Sequence, residues 1–92
     1  FFEAAQALAR RIRSQGGNDR SQEAVYAFRL CTGRVPQTNE VSRIVSSFDR
    51  EHAYFQQHAD EAKRVSHGDA TLAAWTMVSN ALLNLDETIT KE

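Results

Sequence analysis

Apolar residues fall along this chain at spacings of three and four, and every glycine and the single proline lie in the gaps between the periodic runs. Phe1, Ala5, Leu8 and Ile12 are spaced four, three and four, which puts them on one face of an amphipathic helix. Gly16 and Gly17 end that run, with Arg10, Arg11 and Arg13 gathered toward the negative end of the helix dipole. A second helix is predicted from an Asn18 or Asp19 cap through Ala24, Ala27, Phe28 and Cys31 to Gly33, which suits the left-handed position just past a helix end. Tyr26 and Leu30 add a second apolar flank, so this helix is expected to be covered on more than one side.

Val41, Ile44, Val45, Phe48, Phe55, Ala59 and Ala62 hold one stripe from about Asn39 to about Val65 with neither Gly nor Pro inside. A continuous helix of that length would span about 40 Å. Its neighbours could not cover that, so a bend or frayed end is expected near the "QQHAD" of residues 56–60. Ser66-His67-Gly68-Asp69 reads as a turn, with Asp69 capping a fourth helix. There Leu72, Trp75, Val78, Leu82 and Leu85 form the main stripe, and Ala74, Met77 and Ala81 widen it. A helix this apolar belongs in a core. No β-type alternation and no repeat interrupts the pattern. The predicted fold is all-α: a small bundle of about four helices with one long third helix, residues 1–92 forming a single helical domain.

Composition adds limits more than direction. A chain of 92 residues buries roughly 60–65% of its extended surface, enough for one core without disulfides or metals. Net charge is −1, so global electrostatics draws the chain toward neither nucleic acid nor anionic membrane. No run reaches the 18 or more apolar residues of a membrane span. The chain starts on Phe1 without an initiating Met, and is expected to be a piece of a longer or processed polypeptide. Cys31 is the one cysteine, so neither an internal disulfide nor a thiolate zinc cluster can form; a packing role is preferred over a reactive thiol.

Candidate chemistry is sparse. His52 and His58 are six residues apart, about 240° around a helix, and cannot chelate one ion as an i, i+4 pair can. His67 could approach Asp69 but has no third ligand, so no metal or other cofactor is expected. Arg10, Arg11, Arg13 and Arg20 make a local basic patch with no interleaved aromatics and no recognition-helix motif, so nucleic-acid binding is a weak alternative. In the connector "CTGRVPQTNE", Gly33 can take positive φ, Arg34 offers a five-donor fork, Pro36 blocks further helix, Thr38 is the expected N-cap of helix three and Glu40 sits in its first turn. Arg34 is expected to reach a carboxylate or free carbonyls at the end of helix four, with Asp86 and Glu87 as first candidates. Those two acids are adjacent, about 100° apart if helical, a poor arrangement for joint work on one bond. Asn84 is expected to take a left-handed conformation where the helix stops, and the acids after it to end and dock the helix.

Two stretches carry a resemblance: "YAFRLCTGRVPQTNE" and, further on, "AAWTMVSNALLNLDETITK". Their order, their spacing and the pair L-x-x-GR-x-P…E and A-W-T…LLNLDE resemble the C-terminal part of the planctomycete secreted domain one family. That is an uncharacterised domain of large multidomain proteins that often also carry planctomycete-type cytochrome C domains. The resemblance implies a secreted or periplasmic address and a parent whose haem, where present, is held by a CxxCH motif that residues 1–92 lack. Two positions depart from the family pattern. Gln37 stands where the family has Thr, which implies a third helix that starts one residue later or uses Thr38 as its cap without the reciprocal contact from Glu40, and Thr88 replaces an aromatic. The expected function is a non-catalytic helical terminal module that docks against the rest of its parent or against a protein partner. The rivals are a share in a hydrolytic or redox site completed by other domains, with Arg34, Asp86 or Glu87 supplying charge, and anion binding through Arg10, Arg11 and Arg13.

Overall fold

The structure, a computed structural model, describes residues 2–84. Within them the chain forms five α-helices and no strand: α1 (Phe2–Gln15), α2 (Arg20–Thr32), α3 (Thr38–Gln57), α4 (Ala59–Ser66) and α5 (Ala70–Leu83). Phe1 and Leu85, assigned to apolar stripes above, lie outside the described residues, as do Asp86, Glu87 and Thr88.

The all-α prediction holds, and the helix count is corrected from about four to five. The long third stripe is one helix only as far as Gln57. Its break falls where a bend was expected, at His58, with φ −130° and ψ 69°. Here the backbone N–H of His58 donates to the Phe55 carbonyl at 3.3 Å. The His58 ring places Nδ1 2.8 Å from the Tyr54 carbonyl oxygen, which requires the proton on Nδ1. The side chain thereby satisfies the carbonyl that a continuing helix would have paired with the His58 N–H. The His58 carbonyl then accepts from the N–H groups of Glu61 and Ala62 and starts α4. Ala59, assigned to the stripe, is exposed at that start.

Turning α4 back gives its apolar side something to cover. Phe55, Ala62 and Ala73 form a small buried cluster with Val65, Ala70 and Met77 packed against it. The main cluster joins Ala9 and Ile12 of α1, Ala24, Ala27 and Phe28 of α2, Ile44 and Phe48 of α3, and Ala74, Trp75, Val78 and Leu82 of α5. Trp75 is fully buried, its ring centroid 4.8 Å from that of Phe48. α5 supplies both clusters and packs on all four other helices. It buries Ala73 through Thr76, Val78, Ser79 and Leu82, leaving Ala81 exposed where a wider stripe was expected.

Local signals set the helix ends. Asp19 caps α2, accepting from the Gln22 N–H at 2.8 Å, and Asp69 caps α5, accepting from the Leu72 N–H at 3.0 Å. α4 ends in a Schellman motif: the Gly68 N–H donates to the Ala62 carbonyl and the His67 N–H to the Lys63 carbonyl, both at 3.1 Å. His67 holds the left-handed position there at φ 61°, a conformation that costs a residue with a Cβ about 1–2 kcal/mol.

Candidate functional site

The connector between α2 and α3 is held by a set of local contacts. Gly33 takes φ 79° and its N–H donates to the Arg29 carbonyl, ending α2 as expected. Thr32 Oγ1 donates to the Phe28 carbonyl at 2.9 Å and accepts from the Arg34 N–H at 3.3 Å. The chain then reverses through the buried Pro36, bringing the Arg34 fork onto Glu40 with both nitrogens engaged, at 3.1 and 2.9 Å. The same guanidinium lies 4.9 Å from the Phe28 ring centroid, a cation–π approach. Glu40 also accepts from the Gln37 N–H at 2.8 Å.

This corrects the start of α3. Gln37, not Thr38, is the N-cap. Thr38 is the first helical residue, and the reciprocal contact from Glu40 is present, made to Gln37. The Arg34 fork, followed by the Gln37 N–H, pulls the Glu40 carboxyl down to about 2. The carboxylates expected for Arg34, Asp86 and Glu87, lie outside the described residues. Asn84 is also corrected. It closes α5 at φ −101° and ψ 9°, not in the left-handed region, and its side-chain amide donates to the Asn80 carbonyl at 2.8 Å.

The basic and imidazole groups do not converge. Arg13 pairs with Asp69, tying the end of α1 to the cap of α5. Arg20 pairs with Glu23 at 2.6 Å and lies 4.0 Å over the Phe48 ring. Burial works against ionised Asp69, but the Leu72 N–H and Arg13 outweigh it and hold its pKa below the usual aspartate value. His52 stacks on Phe48 with its Nε2 3.3 Å from Thr71 Oγ1, while His58 stacks on Tyr54. Among the described residues no group of three or more His, Cys, Asp or Glu side chains could hold a metal ion. No helix among them is long and apolar enough to cross a membrane. Burial pushes the Cys31 thiol pKa up, which disfavours the reactive thiolate.

What the sequence reading did not place is the outer side of α2. That flank was expected to be covered, and among the described residues it is covered only in part: Tyr26 packs against the main cluster while Leu30 stays exposed. Gln22, Val25, Tyr26, Arg29, Leu30 and Gly33 line a depression of about 440 Å³. Leu30 is 42% exposed, and Val35 just beyond the helix is 65% exposed. Tyr26 is held in place from α1, its hydroxyl donating to Gln15 Oε1 at 3.0 Å. The apolar character of positions 25, 26 and 30 was visible in the sequence, but which of the two flanks the core would take was not.

Comparison with protein-family models, curated proteins and solved structures finds no match to this chain.

Proposed function

We propose that this chain is a non-catalytic helical docking module that packs against another domain of a larger protein. The observation that carries the reading is the outer flank of α2, where the exposed Leu30 continues a strip with Val25 and Tyr26, both only partly buried by the other described helices. The polar groups with distinctive partners all have a use within the fold: Asp19, Gln37 and Asp69 cap helices, Arg13 and Arg34 cross-link elements, and His58 ends α3. The resemblance of residues 26–40 and 73–91 to the planctomycete secreted domain one family supports placing that larger protein outside the cytoplasm. Hydroxyl-radical footprinting tests the docking reading. Tyr26 and Leu30 should oxidise readily in the isolated 92-residue chain and be protected in the full-length parent. Equal oxidation in both would refute it.

A further inference from the structure

We infer that the α2 flank takes an acidic amphipathic helix of the neighbouring domain, a conclusion that rests on the docking reading above and adds the chemistry of the occupant. The argument is one of charge and length. Arg29 is the one charged residue lining the depression, and no acid lines it. The arginines nearest in sequence are committed: Arg20 to Glu23 and Arg34 to Glu40. Arg29 has no ion-pair partner among the described residues. Among the described residues the surface therefore offers a partly exposed apolar strip beside a guanidinium with no acid against it, which fits an occupant with apolar side chains in line and a carboxylate at their edge.

From Gln22 to Gly33 the strip runs about 16 Å, or three helical turns. A facing helix would meet it with residues at i, i+3 or i+4, and i+7, the usual anchors of a helix laid against an apolar surface. Tyr26, pinned by Gln15, gives the centre of the strip a fixed aromatic that needs little ordering on binding. Gly33 carries no side chain at the far end, and a Cβ built there would meet nothing within 4 Å. Among the described residues that end of the strip is open to a long occupant.

The test uses the ¹⁵N-labelled 92-residue chain and two synthetic helical peptides that share a leucine stripe at i, i+3 and i+7. One carries glutamates beside the stripe and the other lysines. The acidic peptide should shift the amides of residues 22–33 and bind about fivefold more tightly than the basic one, a ratio in keeping with a solvent-exposed charge pair. Arg29→Glu should invert that preference, Arg29→Gln should abolish it, and Leu30→Asp should weaken both peptides, with helicity by circular dichroism confirming that each variant folds. Equal binding of the two peptides at this flank would overturn the acidic occupant while leaving the docking reading standing. Shifts confined to other helices, or none with either peptide, would overturn both. Concentration-dependent dimerisation abolished by Leu30→Asp would assign the flank to a second copy and overturn the inference.

Discussion

Ser79 sits in the middle of α5, fully buried, and its hydroxyl has no hydrogen-bond partner. Ser79→Ala should therefore stabilise the fold. Leaving a buried hydroxyl unpaired costs about 1–3 kcal/mol, and Ala gains about 0.5 kcal/mol over Ser in a helix interior. Against this stands the packing lost with one oxygen atom, about 1 kcal/mol for a void near methyl size. The balance is a gain of about 1 kcal/mol. Urea unfolding followed by circular dichroism at pH 7 should show the midpoint rising by roughly 0.5–1 M with an unchanged slope. Thr76 provides the contrast within the same helix, because its buried hydroxyl does donate, to the Leu72 carbonyl at 2.8 Å. Thr76→Ala should lower stability by about 1 kcal/mol, the combined loss of that bond and a buried methyl less the helix-propensity gain. If Ser79→Ala lowers the midpoint as Thr76→Ala does, the Ser79 hydroxyl is paired in solution and the reasoning fails.

Asp69 should separate into two effects. Asp69→Asn keeps a competent cap and loses only the charge facing Arg13, costing under about 1 kcal/mol, whereas Asp69→Ala also loses the cap and should cost about 1 kcal/mol more in thermal melts. Glu40 and Asp69 both have folded pKa values below their ordinary ones. Their contribution to stability is thus complete above the unfolded values of 4.5 and 3.8 and is lost as pH falls through the folded ones. For Glu40 that window runs from 4.5 down to about 2; Glu40→Gln should flatten the fall of the urea midpoint across it, and an unchanged slope would contradict the Arg34 contact. His67→Gly should relieve the left-handed backbone at the end of α4 and raise the melting temperature by roughly 3–6 °C, about 0.5–1 kcal/mol.

Features decided by near neighbours in the chain were legible in the sequence. Asp19, Gly33 and Asp69 cap or stop helices through contacts within three or four residues, and Trp75 follows from the spacing of its own stripe. The break at His58 was placed but not its outcome, because a helix end made by an imidazole on a carbonyl leaves no Gly or Pro to mark it. Arg34 shows a different limit. Glu40 was visible in the sequence, yet only the reversal through Pro36 brings it within reach of Arg34. Gln37 was passed over as a cap because its side chain is a poorer capping group than the hydroxyl of Thr38 beside it. The outer flank of α2 was out of reach for another reason: with apolar residues on two sides of one helix, the choice of the buried side belongs to the packing of α1, α3 and α5.

The placement of α5 also governs the order in which this chain can acquire its structure. The last of the five helices supplies residues to both clusters, packs most extensively on the first, and carries no charge from Ala70 to Leu83. During synthesis the four earlier helices leave the ribosome lacking the element that closes their apolar sides, and α1 must wait through some sixty residues of chain for its principal neighbour. Cooperative folding of these helices is thereby deferred until synthesis has passed Leu83, and a chain halted before that point exposes the apolar sides that α5 would close.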